Sequence, residues 1–563
     1  METFDFLVVG SYFLLIFVVA FFVTRKERRE KSSDNYFLGG KNSGWFVIGA
    51  SLFASNIGSE HLIGLAGSGA RGDFVNGQFE VLAALILLLL GWVFVPFYMK
   101  SGVYTMPEFL EKRYSKPARR YLSVVSILAY VLTKISVTIF AGALVFEQLL
   151  GIEFWTGAVL VVLATGIYTI FGGLKAVVYT DMVQMFVLIG GAIAVTGFGI
   201  AELGGWDAMM ASIQSTVDTP KSSQYLSLWR PGSDTNYPWT GIMFGAPILG
   251  IWYWCTDQFI VQRVLSAKDL SNARKGTIFA GFLKLLPIFL FVLPGVVAFA
   301  LHVNDGQLLS AGDGTLNYDA ALPAMVGAYL PVGLKGLVAA GLLAALMSSL
   351  SSVFNSCSTL VTIDFFKERN PDASERRLVI VGQISTGVLV VIGLLWIPLM
   401  ENMMSDGGLF KYLQSIQAYI SPPIAAVFLF GIITPMVNHK GALSALWTGF
   451  VLGCTRLVLE FVSAPDADGN TIYTPAEGSF LEWVVNVNFL HFAIMLFAIC
   501  SVVHFGVSSW KKVDTSSIRY LTMADRTENI LQEASAKKDL LLTGILIIAV
   551  IIIWIIFSPF GIA

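Results

Sequence analysis

The chain has little charge for its length. Only 13% of its 563 residues are Asp, Glu, Lys or Arg, whereas 55% are hydrophobic, and the net charge is −2. Soluble globular proteins carry about 25% charged residues, so this composition predicts an integral membrane protein. The near-neutral balance gives no argument for a nucleic-acid partner, and none is predicted.

Several motifs of other protein classes are also missing. The sequence has no Gly-x-x-x-x-Gly-Lys-Ser/Thr loop and no metal-ligand cluster, so neither an enzyme nor an ATP-driven pump is predicted. Its four cysteines all lie in apolar segments, which predicts buried thiols rather than a disulfide framework. No Asn-x-Ser/Thr sequon occurs. This absence favours a multi-pass protein of a bacterial inner membrane over a glycosylated plasma-membrane protein.

Long apolar runs are abundant instead. The first run is followed rather than preceded by basic residues, so we expect a membrane span and not a cleavable signal. No separate soluble domain and no obligate protein partner are evident. Runs of about 20 residues can cross a bilayer, and they predict fourteen transmembrane helices near residues 5–24, 44–69, 74–99, 121–150, 153–174, 177–203, 240–262, 276–301, 332–365, 378–400, 409–436, 441–463, 484–507 and 540–559.

The basic residues predict the orientation of these spans. If the N-terminus lies outside, most Lys and Arg residues fall in cytoplasmic loops, as the positive-inside rule requires. The opposite orientation would invert this bias. We therefore predict that both termini lie outside, with a short cytoplasmic loop at 175–176 between the fifth and sixth spans.

Two predicted spans are interrupted by polar residues near their middle. The second contains Asn56-Ile57-Gly58-Ser59 and the seventh contains Tyr253-Trp254-Cys255-Thr256-Asp257-Gln258. A helix can break inside a bilayer only where protein or a cavity receives its backbone groups, and secondary transporters build ion and substrate sites at such breaks. Because five spans separate the two breaks, we predict one transmembrane domain, 1–563, with two inverted five-helix halves, 44–203 and 240–436, an extra segment 1–43 and C-terminal helices 437–563.

Charged residues at membrane depth are functional candidates. Each costs several kcal/mol unless it is paired or hydrated. Glu80 and Lys284 are the most suggestive, because a carboxylate and an ammonium that face one cavity compensate each other. Lys134 and Arg456 are expected to snorkel or to form structural pairs, and neither Lys134 nor Asp257 has a predicted role. The full set is Glu60, Glu80, Lys134, Asp181, Asp257, Lys284 and Arg456.

The polar residues near these charges suit a neutral polyhydroxyl ligand. Asn56, His61 and Gln414 offer hydrogen-bond donors and acceptors, while Tyr253 and Trp254 offer flat apolar faces. The alternative is a structural Glu–Lys pair with ordinary aromatic packing. Residue types alone leave these two interpretations equally open.

A second constellation is the serine-rich stretch Ala345-Leu346-Met347-Ser348-Ser349-Leu350-Ser351-Ser352. On a helix its serines lie one turn apart. Such a face can simply let helices pack closely. It can also coordinate Na⁺, together with free carbonyls of an unwound helix. Asp181 could add a carboxylate to a second site.

Longer stretches match a known family over nearly the whole chain. They are Ala54-Ser55-Asn56-Ile57-Gly58-Ser59 with His61, Tyr104-Thr105-Met106-Pro107-Glu108-Phe109, Gly172-Gly173-Leu174 with Tyr179-Thr180-Asp181, Trp252-Tyr253-Trp254-Cys255-Thr256-Asp257-Gln258 with Val261-Gln262-Arg263, Met347-Ser348-Ser349 with Phe354-Asn355-Ser356, Gln414-Ser415-Ile416 and Pro422-Pro423-Ile424-Ala425-Ala426-Val427-Phe428. In these stretches the chain resembles the solute:sodium symporter family, and within it the sodium/glucose cotransporters.

The resemblance implies an all-α, LeuT-type 5+5 inverted repeat with one helix before the core and three after it. It also implies roles for individual residues. Phe79 and Phe410 would form an outer gate and Tyr253 an inner lid. Sugar contacts would be Asn56, His61, Glu80, Tyr253, Trp254, Lys284 and Gln414; the first sodium site would use Ala54, Ile57, Ala345, Ser348 and Ser349, and a second would use Asp181, Ser348, Ser351 and Ser352.

These observations predict a sodium-coupled symporter of a hexose, glucose or galactose, with two sodium ions per sugar. Three positions depart from the animal glucose carriers, namely Gly250, Gln417 and Val81, and they leave the exact sugar open. Alternatives are a sodium symporter for inositol, sialic acid or an amino acid, and an uncoupled sugar sensor or channel.

Overall fold

The computed structural model describes residues 1–24, 41–58, 60–216, 225–310, 315–403, 408–463, 472–511, 513, 521–523 and 534–562. Over these ranges the ordered elements are helices, and the extended pairing is limited to two isolated bridges, Ser43 with Ala267 and Ser310 with Leu316. The predicted all-α class is therefore confirmed.

The first part of the chain, up to the second break, forms nine helices in the described ranges. They are α1 (Thr3–Thr24), α2 (Trp45–Asn56), α3 (Glu60–Leu65 continuing as Ala66–Arg71), α4 (Phe74–Ser101), α5 (Met106–Arg113), α6 (Lys116–Leu150), α7 (Phe154–Glu202), α8 (Trp206–Thr216) and α9 (Trp239–Phe244, Ala246–Gly250 and Ile251–Thr256).

The remainder forms ten more in the ranges described. They are α10 (Gln258–Leu265), α11 (Leu270–Asp305), α12 (Ala321–Tyr329), α13 (Leu334–Lys367), α14 (Glu375–Met403), α15 (Gly408–Ile433), α16 (His439–Ser463), α17 (Phe480–Asn486), α18 (Phe489–Trp510) and α19 (Ala534–Ile556).

Ten helical stretches in the described chain are long and apolar enough to cross a membrane. They are Phe74–Ser101, Lys116–Leu150, Val183–Glu202, Leu270–Asp305, Leu334–Lys367, Arg376–Pro398, Gly408–Ile433, His439–Ser463, Phe489–Trp510 and Lys537–Ile556. Shorter apolar helices cover most of the first predicted span, the first half of the second and the start of the fifth. The count of fourteen and the external position of both termini stay predictions.

One predicted boundary differs from the structure. The backbone is helical without interruption from Phe154 to Glu202, so the fifth and sixth predicted spans belong to one helix, α7, with no loop at 175–176. The stretch Leu174-Lys175-Ala176 consists of good helix formers, and no proline follows to remove a helical hydrogen bond. Hydropathy alone predicted a loop there because a charged residue, Lys175, separates two apolar runs.

Both predicted breaks are present. Helix α2 ends at Asn56, Ile57 leaves the helical region with ψ 87°, and α3 begins at Glu60. Helix α9 ends at Thr256, and Asp257 is extended (φ −75°, ψ 127°) before α10 begins. The Asp257 side chain accepts a hydrogen bond from the Phe259 N–H, which caps the first turn of α10.

A third irregularity lies at the middle of α11. Its first half, Leu270–Leu283, ends with Lys284 as the C-cap, and a wider helical turn begins at Ile288. Pro287 has no N–H and its ring clashes with the preceding turn, so regular hydrogen bonding cannot continue. Lys284 therefore lies at an interruption, which the sequence analysis did not predict.

Small residues bring the broken helices close to α11. No side chain larger than hydrogen fits at Gly49 of α2, where a Cβ would lie 2.8 Å from the Gly276 carbonyl of α11. At the other end, a Cβ at Gly295 would overlap the Ala66 carbonyl of α3. Close approach of backbones through small residues is the usual mode of helix packing in membranes. It places the first break directly beside Lys284.

Candidate functional site

A buried polar cluster lies where α3, α4 and α11 meet. The Lys284 ammonium donates to the Glu80 carboxylate, and the other carboxylate oxygen lies 3.1 Å from His61 Nε2. Lys284 also donates to the Asn56 amide oxygen and lies 3.2 Å from His61 Nε2. Glu80 is 6% exposed and Lys284 is fully buried. The two charges that the sequence analysis paired are therefore in direct contact and share their neighbours with both predicted polar residues of the first break.

Tyr253 joins the second break to the first. The Asn56 amide nitrogen donates to the Tyr253 hydroxyl at 2.8 Å, which connects α2 to α9 at the level of the ion pair. The rings of Tyr253 and Trp254 lie edge to face with centroids 5.1 Å apart, and the Lys284 ammonium lies 5.3 Å from the Trp254 ring centroid. One network thus contains donors, acceptors and aromatic faces.

A cavity adjoins this network. It contains about 530 Å³ of space free of protein atoms, a volume that includes open solvent. Six of the seven predicted substrate contacts line it, and Lys284 reaches it through Asn56, His61 and Glu80. The lining residues are Asn56, His61, Phe79, Glu80, Leu82, Ile86, Ala246, Leu249, Gly250, Tyr253, Trp254, Phe410, Leu413, Gln414 and Gln417.

The predicted outer-gate residues also meet. The rings of Phe79 and Phe410 contact each other edge to face, with centroids 5.6 Å apart, and both line the cavity. Phe79 comes from α4 and Phe410 from the first turn of α15. Two aromatic rings from separate helices thus cover one side of the polar cluster.

Some lining residues were not predicted as contacts. The apolar wall formed by Leu82, Ile86, Ala246, Leu249 and Leu413 carries no sequence signal that separates it from ordinary membrane core. Gln417 was noted only as a departure from the animal carriers. It lies three residues after Gln414 on α15, and this spacing puts both amides on one helix face, so the spacing could have identified it.

Lys134 and Asp257, which had no predicted role, lie side by side. The Lys134 ammonium lies 3.6 Å from the Asp257 carboxylate, and the Tyr130 hydroxyl donates to the same carboxylate. The ammonium also lies 4.1 Å from the Tyr253 ring centroid and 3.8 Å from that of Phe259. This arrangement compensates the Lys134 charge inside the protein, as predicted for a structural pair, and places it against the aromatic residue at the second break.

The first predicted sodium site is brought together in part. Ser349 of α13 places its hydroxyl 3.5 Å from the Ser55 carbonyl, inside the last turn of α2. Ser348 and Ala345 are buried on the same helix, and Ala54 and Ile57 flank Ser55 and Asn56 at the break. The Ser349 hydroxyl of α13 therefore lies beside the last turn of α2, and the sodium site itself stays a prediction.

Arg263 adds a cation to the neighbouring serines. Its Nε donates to the hydroxyls of Ser55 (2.6 Å) and Ser51 (3.2 Å), and Nη2 donates to Ser352 at 2.8 Å. Ser352 was predicted as a ligand of the second sodium. A hydroxyl has two acceptor lone pairs, so this bond leaves room for one further partner. The Asp181 side chain, which was predicted for the same site, lies outside the described part of the structure.

Comparison with known proteins identifies the family. The model of the sodium:solute symporter family matches residues 36–449. The chain belongs to this family. It is 39% identical to the sodium/glucose cotransporter 1 of Oryctolagus cuniculus, over 90% of this chain and 79% of that protein. It is 41% identical to the Homo sapiens sodium/myo-inositol cotransporter, over 83% of this chain and 69% of that protein.

A solved structure shares the fold. A Na⁺-coupled sialic acid symporter in a substrate-bound, outward-open state superimposes with a TM-score of 0.70 and 22% identity, over 90% of this chain and 98% of that one. As a member of the sodium:solute symporter family, the protein is a multi-pass membrane transporter and not an enzyme. Sodium is its coupling ion, and its other partner is a small-molecule solute.

Proposed function

We propose that this symporter carries a hexose, glucose or galactose, into the cell by alternating access. The observation that carries this proposal is the compensated Glu80–Lys284 pair, of which Glu80 lines a cavity with amide, imidazole and aromatic walls. A neutral polyol needs many directional partners and no net charge. An anionic solute would instead favour an unpaired cation or a helix N-terminus in the cavity.

In this proposal all seven predicted contacts bind the sugar. Asn56, His61, Gln414 and the Glu80–Lys284 pair exchange hydrogen bonds with sugar hydroxyls, while Tyr253 and Trp254 face its CH surfaces. Phe79 and Phe410 close over the sugar, and Tyr253 acts as the inner lid. The cycle takes place in a LeuT-type 5+5 repeat in a plasma membrane, which we propose is a bacterial inner membrane.

The driving ion is proposed to bridge α2 and α13. The first sodium would bind the carbonyls of Ala54, Ile57 and Ala345 and the hydroxyls of Ser348 and Ser349. Sodium can favour one conformation only if it binds the two conformations with different affinities. Because the oxygens come from two helices, a movement of one helix relative to the other would change that affinity.

The best test of the sugar proposal is counterflow into proteoliposomes. Labelled galactose and glucose are offered with and without sodium, and unlabelled myo-inositol and sialic acid are added as competitors. We expect sodium-dependent galactose or glucose counterflow that myo-inositol does not suppress. Suppression by myo-inositol at lower concentration than by either hexose would favour the second candidate, a polyol symporter, which the similarity to the sodium/myo-inositol cotransporter supports.

Replacing Gln414 by alanine is expected to raise the sugar concentration for half-maximal uptake. The amide lines the cavity, and losing one hydrogen bond costs about 0.5–1.5 kcal/mol, or roughly a two- to tenfold change in affinity. The measurement is initial uptake against sugar concentration. The matched control is Gln383→Ala on α14, away from the cavity, which should behave like the unmodified chain. If Gln414→Ala leaves the half-maximal sugar concentration unchanged, Gln414 does not contact the sugar.

Replacing Ser351 by alanine is expected to reduce the sodium-to-sugar ratio from two to one. Each ion gains about 2.3 kcal/mol per 100 mV, and a tenfold gradient adds about 1.4 kcal/mol. One ion therefore supports roughly 500-fold accumulation and two support on the order of 10⁵-fold. The ratio is measured from paired ²²Na⁺ and sugar fluxes, with Ser356→Ala, one turn beyond Ser352, as the control. A ratio that Ser351→Ala does not change contradicts the second site, Asp181, Ser348, Ser351 and Ser352.

A further inference from the structure

An ion pair outside the cavity joins three segments that are distant in sequence. Arg71, the last residue of α3, donates from Nη1 to Asp319 Oδ1 at 2.9 Å. Asp319 belongs to the short turn Tyr318–Ala320 that precedes α12. Its second oxygen accepts a hydrogen bond from the Leu409 N–H at 3.3 Å, in the first turn of α15. One carboxylate thus links α3, the α11–α12 connection and α15.

Two glycines and an aromatic ring pack closely around the Arg71–Asp319 pair. Gly408 has a positive φ of 63°, and a Cβ at this position would overlap the Arg71 guanidinium. A Cβ at Gly67 of α3 would overlap the Asp319 carboxylate. The guanidinium also lies 5.1 Å from the Tyr318 ring centroid. Two glycines therefore leave the space that the pair occupies, and the two side chains are only 14% and 10% exposed.

Two of the segments that this pair joins, α3 and α15, contribute residues to the cavity wall. Leu409 immediately precedes Phe410, whose ring contacts Phe79. Gln414 follows one turn later on α15, and His61 lies on α3 with Arg71. Movement of Phe410 away from Phe79 requires the first turn of α15 to move relative to α4. The Asp319 contact with Leu409 opposes such a movement.

We propose that Arg71 and Asp319 are positioning residues that latch the outer gate in its closed position. The pair fastens the first turn of α15 to the end of α3, and it separates when Phe410 moves to admit solute. The proposal rests on the gate role of Phe79 and Phe410 proposed above, but not on the identity of the solute. Neither residue lines the cavity.

The test measures how often the cavity is open to the outside. A cysteine introduced by Ala246→Cys, at the cavity wall, is labelled with a membrane-impermeant thiol reagent added outside intact vesicles. Labelling of the chain without this cysteine is subtracted, since three of its four native thiols are buried and the fourth is half-buried. Thermal unfolding of each purified variant is recorded alongside.

We expect Asp319→Asn and Arg71→Gln each to raise the labelling rate at least fivefold, because the pair is mostly buried and fivefold is the effect of losing a pair near the upper end of the exposed range. The double variant should be no faster than either single variant, because both remove the same interaction. Arg71→Lys keeps the charge and should label nearly as slowly as the unmodified pair. If Asp319→Asn does not fold, the comparison of Arg71→Gln with Arg71→Lys decides the question.

The matched control is Tyr329→Phe. It removes the hydrogen bond that the Tyr329 hydroxyl, at the end of α12, donates to the Asp305 carboxylate at the end of α11 (3.3 Å), and it should leave labelling unchanged. Equal acceleration by Tyr329→Phe, or no acceleration by either latch variant, overturns the proposal. If labelling responds as expected while galactose and glucose fail in counterflow, the latch stands and the hexose assignment falls.

Discussion

Replacing Lys284 by methionine is expected to reduce sodium-dependent sugar uptake at least 100-fold. The substitution leaves Glu80 buried without its counter-charge and removes the bonds from Lys284 to Asn56 and to the carboxylate. Removing one partner of a buried ion pair costs about 3–5 kcal/mol, which corresponds to roughly a 150- to 5,000-fold change. The measurement is initial uptake into proteoliposomes, normalised to the amount of inserted protein.

Two further variants separate binding from folding. The double variant Glu80→Gln with Lys284→Met removes both charges, so we expect its thermal unfolding temperature to recover while uptake stays lost. The control Lys112→Met breaks the half-exposed Lys112–Glu108 pair (3.4 Å), which is worth about 0.3–0.5 kcal/mol, and should keep uptake within about twofold. If Lys284→Met keeps its uptake, the Glu80–Lys284 pair is a structural ion pair and not part of the sugar site. This is the alternative that the residue types left open.

Replacing Ser349 by alanine is expected to raise the sodium concentration for half-maximal uptake at least tenfold. The Ser349 hydroxyl lies beside the Ser55 carbonyl at the end of α2, where an ion would bridge the two helices. A polar contact to a charged group contributes about 1.5–3 kcal/mol, or on the order of 10- to 150-fold in affinity. The measurement is a sodium titration of uptake at saturating sugar.

The control for this experiment lies on the same helix. Ser356 donates to the Ser352 carbonyl at 3.0 Å and is not part of either proposed sodium site, so Ser356→Ala should leave the sodium titration unchanged. If Ser349→Ala and Ser356→Ala have the same half-maximal sodium concentration, the serine-rich face of α13 serves helix packing rather than ion coordination.

Sequence reasoning located the two helix breaks because their cause is local. Polar residues and a glycine in the middle of an apolar run, as at Asn56-Ile57-Gly58, disfavour a continuous membrane helix whatever the rest of the chain does. The same reasoning failed at 175–176, where a single lysine between apolar runs does not break α7. It also missed the interruption at Lys284, although Pro287 was a local signal for it.

The partners of the buried charges were harder to foresee. Lys134 contacts Asp257 and the Tyr253 ring, and Arg263 contacts serines of both α2 and α13. Each of these contacts joins residues far apart in the chain. A hydropathy pattern indicates the depth of such a residue in the membrane, but it does not indicate which helix the residue contacts.

The amino-acid sequence by itself determined the membrane class, the family, the positions of the breaks and the residue types available for a neutral solute and a sodium ion. These follow from composition and from patterns within single helices. The sequence suggested the pairing of Glu80 with Lys284, and the structure brings the two into contact. The tertiary structure alone decided that Lys134 lies against Tyr253 and that Asp319 ties α15 to α3. Such contacts depend on how helices cross and approach each other through glycines such as Gly49, Gly67 and Gly295, and this geometry arises only when the whole chain is packed.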